Sequence, residues 1–188
     1  MKTEKNITEL LLNKLNTFDP MKDSPESIPD EEGLYFMVLR EEDALATWIR
    51  QAVPGYTMEL FNGKPLLYLG ISGRGLRKRD YKNHFTGNVR NSTLRKSIGA
   101  LRFNLEDRAY RDEKKGKFKG EKEAEISRFM KENLVMYYVT KRQLNDGALR
   151  KIEKLFIEFC QPLLNLKENY NQRNKEFRKE LNALRTSK

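Results

Sequence analysis

The sequence contains residue types that could together hydrolyse a phosphodiester bond. Glu153 offers an anionic oxygen, the kind of ligand that a hard divalent ion such as Mg²⁺ prefers, and one carboxylate can suffice for such an ion. The stretch Leu76-Arg77-Lys78-Arg79 offers guanidinium groups, whose fixed fork of donors suits a phosphate. His84, the only histidine of the chain, follows them. These residues are far apart in sequence, so the fold must bring them together.

Two short tyrosine motifs lie on predicted strands in the first half of the chain. Gly33-Leu34-Tyr35 and Tyr68-Leu69-Gly70 resemble the two half-motifs that name the GIY-YIG nuclease family. Further on, Glu153 on a predicted helix precedes the stretch Pro162-Leu163-Leu164-Asn165-Leu166. That combination is similar to the family's metal-binding helix and its closing asparagine. The resemblance spans about residues 28–185, and a basic insertion resembles one found in a small bacterial subgroup of the family.

The resemblance implies a metal-dependent endonuclease with one divalent ion, Mg²⁺ or Mn²⁺. The residues that match the family's site are Tyr35, Tyr68, Arg79, His84, Glu153 and Asn165. The resemblance implies that Glu153 binds the ion and that one of the two tyrosines is the general base. A phenol with a pKa near ~10 is a poor base at neutral pH unless a nearby cation favours its ionised form. The sequence does not decide between Tyr35 and Tyr68.

Two arginines compete for the role of binding the scissile phosphate. The spacing in the family favours Arg79. The phase of an α-helix instead favours Arg77, because Arg77, Tyr81 and His84 would lie on one helix face. Asn165 does not titrate, so we interpret it as a group that hydrogen-bonds to phosphate or metal-bound water and fixes the loop after Pro162, or alternatively as an ordinary helix-terminating residue.

The chain carries a large positive charge. Lys and Arg number 37 against 27 for Asp and Glu, which gives a formal net charge of +10 and a pI near 9.6. Such an excess favours a polyanionic partner, because basic side chains that neutralise phosphates release counterions. We therefore predict DNA as the partner, with RNA or branched nucleic acid as alternatives. The candidate contact residues are Arg74, Arg77, Lys78, Arg95, Lys96 and Arg102.

The hydrophobic pattern predicts an α+β fold, with a small three-stranded antiparallel sheet flanked by helices and with helical insertions. The predicted strands are 33–39, 66–71 and 134–140. The predicted helices are 7–15, 41–53, 76–85, 92–103, 123–133, 147–159 and about 173–185. The charged segment 105–122 contains almost no aliphatic residues, so we predict a solvated loop there.

We expect an N-terminal helix and connector over residues 1–27 and one nuclease-like domain over 28–188, with the helical insertion at about 86–133. The N-terminus lacks the apolar core of a signal peptide, and no apolar run approaches the ~20 residues that span a bilayer. We therefore expect a cytoplasmic protein without a membrane partner, whose oligomeric state stays open. Two functions are compatible with the pattern: a metal-dependent endonuclease, or a module on the same fold that binds nucleic acid without cleaving it.

Overall fold

The computed structural model describes residues 11, 13–46, 56–103, 111–112, 117–144 and 148–186, with only the backbone of Arg79, Arg111, Asp112 and Lys117. Five strands of this part of the chain form one antiparallel sheet: β1 (Asn16–Phe18), β2 (Gly33–Leu39), β3 (Leu60–Phe61), β4 (Lys64–Ser72) and β7 (Leu134–Thr140). They lie in the order β1-β7-β2-β4-β3. Two further strands, β5 (Arg111–Asp112) and β6 (Lys117–Phe118), pair antiparallel in a separate two-stranded sheet.

The sheet is wider than the three strands predicted from the sequence. The predicted strands are its three central ones, β7, β2 and β4, and they pair antiparallel as expected. The prediction missed β1 and β3 at the two edges, because strands of three and two residues are too short to show an alternating hydrophobic pattern. The N-terminal region predicted as a helix and connector therefore contributes an edge strand, and the charged segment predicted as a loop contains β5 and β6.

Helices cover both faces of the sheet. They are α1 (Asp43–Ala46), α2 (Leu76–Phe85), α3 (Thr93–Phe103), α4 (Gly120–Asn133), α5 (Leu149–Cys160) and α6 (Lys175–Thr186). The predicted positions of α2 to α6 are confirmed to within a few residues. Most of the predicted helix 7–15 and the second half of 41–53 lie outside the described residues. No helix in the described ranges is long and apolar enough to cross a bilayer.

The pairing of β2 with β4 places the two motif tyrosines on one face of the sheet. Tyr35 lies opposite Gly70, and Met37 lies opposite Tyr68. Side chains alternate between faces along a strand, so Tyr35 and Met37 share a face and so do their partners. The register shifts after Met37, where β4 has one extra residue, Leu67. This bulge lies beyond the tyrosines and does not disturb their alignment.

The helix α2 is a π-helix along its whole length. Its hydrogen bonds close over five residues instead of four, so side chains follow a different phase from that of an α-helix. Tyr81 packs edge-on against Phe18, at 5.5 Å between ring centroids, and stacks on Phe85 at 5.6 Å. Asp80 and His84 are buried elsewhere on the helix, where only 2 % and 4 % of their surface is exposed. The helix therefore separates an aromatic face from a polar one.

A buried ion pair joins α3 to α4. Arg95 Nη2 donates to Glu123 Oε2 at 2.7 Å, and Nη1 donates to the carbonyl of His84 and to Ser127 Oγ, both at 2.9 Å. The other carboxylate oxygen of Glu123 accepts the backbone N–H of Val89 at 3.1 Å. Arg95 is completely buried. The predicted contact of Arg95 with nucleic acid is therefore wrong, because the guanidinium is enclosed and bonded to protein groups.

We predict that Arg95→Met lowers the free energy of unfolding by about 3–5 kcal/mol, because it leaves the Glu123 carboxylate buried without its cation. The measurement is urea unfolding at neutral pH. Arg102→Met is the matched control, since Arg102 pairs with Glu125 at 3.3 Å on the surface and such pairs contribute less than about 1 kcal/mol. Equal unfolding midpoints for the two variants would show that the buried pair does not stabilise the fold.

Candidate active site

One cavity of about 550 Å³ contains most of the residues that the sequence singled out. It opens between β2 and β4, the polar face of α2, the N-terminus of α3, the helix α5, the loop after it, and the last turns of α6. Five of the six predicted site residues line it, namely Tyr35, Tyr68, His84, Glu153 and Asn165. The side chain of the sixth, Arg79, lies outside the described part of the chain.

A chain of hydrogen bonds runs from Tyr35 through His84 to the start of α3. The hydroxyl of Tyr35 lies 2.8 Å from His84 Nε2, and His84 Nδ1 lies 2.6 Å from Ser92 Oγ. Ser92 Oγ also accepts the backbone N–H of Arg95 at 3.1 Å, which is an N-cap bond. The imidazole is therefore held at both nitrogens, and either tautomer can satisfy the chain.

The glycine of the second half-motif makes room for Tyr35. A Cβ atom at Gly70 would lie 2.5 Å from Tyr35 Oη and 2.8 Å from Cζ, because the tyrosine ring crosses the opposing strand at this point. The glycine of the first half-motif, Gly33, is required for a similar reason. A Cβ atom at Gly33 would lie 2.5 Å from the carbonyl oxygen of Val139 and 2.9 Å from Leu76. Both glycines are thus required by close packing and not by backbone conformation.

Tyr68 is the second tyrosine of the cavity. Its hydroxyl lies 2.9 Å from Thr93 Oγ1, in the first turn of α3. Burial raises the pKa of Tyr68, and the negative charges of Glu153 and Asp80 raise it further. The hydrogen bond with Thr93 and the charge of Arg185 oppose these effects without cancelling them. Tyr68 is therefore a neutral phenol at neutral pH.

Glu153 on α5 presents a half-buried carboxyl to the cavity. Burial raises the pKa of Glu153, and Glu168 nearby raises it further. The charges of Arg150 and Lys167 and the backbone N–H of Ile71 lower it, but only in part. Glu153 stands four residues after the buried Leu149 and three before the buried Phe156, so it lies beside the buried face of α5 and is only partly exposed. A cation close to this carboxylate would compensate the remaining cost of burying its charge.

The described residues contain no group of three or more His, Cys, Asp or Glu side chains close enough to share a metal ion. A site of this composition differs from a structural zinc centre, which uses four protein ligands. It is compatible with Mg²⁺, which commonly takes one or two carboxylates and completes its shell with water and phosphate oxygens. Glu153 therefore fits a single hard divalent ion.

Asn165 joins the loop after α5 to the strand β4. Its Oδ1 accepts the backbone N–H of Leu69 at 2.9 Å, and its Nδ2 donates to the carbonyl of the same residue at 2.8 Å. The neighbouring backbone N–H of Leu164 donates to the carbonyl of Leu67 at 2.8 Å. The amide thus completes the hydrogen bonding of β4 where β3 has ended. This contact fixes the loop, as one part of our interpretation expected.

The α-helical phase that favours Arg77 does not hold. In the π-helix α2, Tyr81 packs in the aromatic core while His84 faces the cavity, so the two do not share a face. Arg77 is not among the described residues that line the cavity, and it lies near the carboxyls of Glu26 and Asp30. The cavity face of α2 carries Asp80 instead, with Oδ1 3.9 Å from His84 Nε2.

The other predicted contact residues for nucleic acid lie outside the described lining of the cavity. Lys78 pairs with Asp30 at 2.6 Å, and Arg102 pairs with Glu125. Arg74 is exposed, and Lys96 is half-buried on α3.

The lysine and arginine side chains that do line the cavity, among those described, are Arg150, Lys167 and Arg185. The sequence analysis did not single them out, because their place depends on how α5 and α6 pack. It also missed Asp80, which the π-helix turns inward. Asn91, Ser92 and Thr93 are residue types that favour the start of a helix, but nothing in the sequence indicates the contact of Ser92 with the histidine.

Comparisons with known proteins agree with the motifs. A family model described as the GIY-YIG catalytic domain matches residues 33–187. The match begins at the first residue of β2 and extends beyond the end of α6, so it includes every element that borders the cavity. No curated protein and no solved structure matches the chain.

We predict that Gly70→Ala displaces Tyr35 from His84, because the added methyl group would lie only 2.5 Å from the tyrosine hydroxyl. The expected loss in the free energy of unfolding is about 1–3 kcal/mol, as for other overpacked sites. The chain has one histidine, so its imidazole NMR signals report the contact directly. Gly73→Ala is the control, since a Cβ atom there meets nothing within 4 Å. Unchanged imidazole signals in Gly70→Ala would contradict this packing argument.

Proposed function

Because the chain belongs to the GIY-YIG catalytic domain family, whose members are nucleases that act on nucleic acids, we propose that it is a metal-dependent endonuclease that hydrolyses DNA. The observation that carries this proposal is the convergence of Tyr35, His84 and Glu153 on one cavity. A module that only binds nucleic acid needs no carboxylate there, because a negative charge repels phosphate. The formal net charge of +10 supports a polyanionic substrate.

Tyr35 is the general base in this proposal, with His84 as its proton acceptor. A water molecule attacks phosphorus and gives a proton to Tyr35 Oη while the phenol passes its own proton to His84 Nε2, 2.8 Å away. The bond from phosphorus to the leaving oxygen breaks, and that oxygen takes a proton from solvent. This sequence uses the tautomer in which His84 Nδ1 donates to Ser92 Oγ. Tyr35 never has to exist as a free phenolate.

Asp80 assists the same step electrostatically. Its carboxylate is almost completely buried and lies 3.9 Å from His84 Nε2. An imidazolium that forms when Nε2 accepts the proton is stabilised by this nearby negative charge. Tyr68 is less suited to the role of base, since burial raises its pKa and its hydroxyl is bonded to Thr93. We assign Tyr68 to the wall of the cavity beside the substrate.

Glu153 would hold the divalent ion, Mg²⁺ or Mn²⁺. When bound, the ion supplies Lewis-acid stabilisation of the negative charge that builds on the phosphate oxygens. Asn165 acts indirectly, because its contacts with Leu69 hold the loop that carries Lys167 and Glu168 against the cavity.

The tyrosine assignment predicts unequal effects of two matched substitutions. Tyr35→Phe should lower the cleavage rate about 100-fold or more, the usual scale for losing a general base. Tyr68→Phe should lower it much less, because the substitution removes only a bond to Thr93. The measurement is single-turnover cleavage of labelled DNA. An inactive Tyr68→Phe beside an active Tyr35→Phe would exchange the two roles, and full activity in both would exclude a tyrosine base.

The experiment that tests the function combines cleavage and stability of Glu153→Gln. The parent should cleave labelled DNA in Mg²⁺ or Mn²⁺ and not in EDTA, and the variant should not cleave while binding DNA equally or more tightly. Because the folded protein raises the Glu153 pKa above 4.5, ionisation of this carboxyl costs stability as pH rises through the raised pKa. The variant should therefore melt at a higher temperature at neutral pH, and this gain should vanish below pH 4.5.

Glu158→Gln is the matched control for this experiment. Glu158 lies on the same helix, is exposed and is not among the residues of the cavity, so its substitution should leave cleavage and melting close to the parent. If Glu158→Gln is inactive while Glu153→Gln cleaves, the metal ligand has been assigned to the wrong residue. If the parent binds DNA but cleaves no duplex, single-stranded or branched substrate, the protein is a binding module.

A further inference from the structure

Arg185 occupies an unusual position for an arginine. It lies in the last turn of α6 and lines the cavity beside Tyr68. Its Nε atom is buried and has no hydrogen-bond partner among the described residues. Partial burial lowers the pKa of Arg185, and among the described residues the charge that opposes this effect is that of Tyr68, which is neutral at neutral pH. Partial burial of this guanidinium therefore has a cost that no described carboxylate offsets.

The helix that carries Arg185 is firmly placed. Leu181, four residues earlier, is completely buried, and Phe177 is 1 % exposed. Residues four apart lie on one face of an α-helix, so this apolar row directs Arg185 to the same side of α6. Packing of these residues against the core holds Arg185 at the cavity. An arginine whose only role was to be solvated would not need to lie partly buried in the lining of the cavity.

The chemistry of the cavity indicates what the guanidinium is for. Tyr68 lies within electrostatic range of both Arg185 and Glu153, so the cation and the carboxylate border the same part of the cavity. Arginine presents planar N–H donors that match the oxygens of a phosphate, and such contacts strengthen where water is excluded. A half-buried guanidinium whose Nε has no described partner, beside the reacting groups, is therefore suited to bind a phosphoryl group.

We infer that Arg185 binds the phosphate at which cleavage occurs, so that the C-terminal helix completes the active site. This inference rests on the proposed nuclease function. It assigns a catalytic residue outside the motifs, and it adds to any contact that the arginines of α2 make. Because Arg185 approaches from α6, on the side of Tyr68, its donors would stabilise the charge that builds on the phosphate oxygens in the transition state.

The test compares Arg185→Gln with Lys179→Gln. Both substitutions remove one positive charge from α6, but Lys179 is highly exposed and lies outside the cavity. Arg185→Gln should lower kcat about 100-fold or more, the scale for losing one strong donor to a developing oxyanion, whereas Lys179→Gln should stay near the parent. The melting temperature of Arg185→Gln should equal or exceed that of the parent, since Arg185 forms no ion pair with a described residue. A structural role would lower it.

A second readout separates this inference from the proposed function. Inorganic phosphate, compared with chloride at equal ionic strength, should raise the melting temperature of the parent and of Lys179→Gln but not of Arg185→Gln. If Arg185→Gln cleaves like the parent, or is stabilised equally by phosphate, the inference is wrong even when the parent is a nuclease. If the parent cleaves nothing, the function fails, and the phosphate measurement alone still decides whether Arg185 forms an anion site.

Discussion

The ion pair of Arg95 and Glu123 is the interaction on which the geometry of the site depends. It holds α3 against α4, and the Nη1 atom of Arg95 donates a hydrogen bond to the carbonyl of His84. The backbone N–H of the same arginine bonds to Ser92, whose hydroxyl contacts the imidazole. Since a buried ion pair adds little net stability compared with apolar packing, its main consequence is positional. The histidine is therefore fixed from both its main chain and its ring.

A second constraint comes from the sheet. The register of β2 and β4 places Tyr35 opposite Gly70, and the missing Cβ atom lets the ring cross the strand towards His84. The tyrosine comes from the sheet, the histidine from α2 and the serine from the N-terminus of α3. The distances of 2.8 Å from the tyrosine to the histidine and 2.6 Å from the histidine to the serine require the sheet, α2 and α3 to pack closely together. This requirement explains why half-motifs far apart in sequence meet at one cavity.

The central strands and five of the helices could be predicted because each is long enough to show its hydrophobic period. The edge strands β1 and β3 could not, since two or three residues carry no period. Arg95 was misread because its charge suggested a surface position, and its partner Glu123 is 28 residues away. The phase expected for α2 was wrong for another reason. The sequence pattern did not indicate a π-helix, so Asp80 was missed, and the α-helical phase that spoke for Arg77 over Arg79 does not apply. The position of Arg185 depends on the packing of α6, which no local pattern encodes.

The net charge of the chain and the few charged groups of the cavity would act on a nucleic acid in different ways. Most of the basic residues that account for the net charge lie outside the described lining of the cavity, and several are paired with acids on the surface. A charge of this size attracts a polyanion over a distance limited by salt, whatever the arrangement of the individual side chains. In the proposed reaction, the contacts at the phosphate depend instead on a few buried or half-buried groups of the cavity, where each charge acts more strongly than at the surface. In the proposed function, the residues that attract the nucleic acid therefore differ from those that contact the reacting phosphate. Composition can indicate the attraction, but only the packed structure locates the groups at the phosphate.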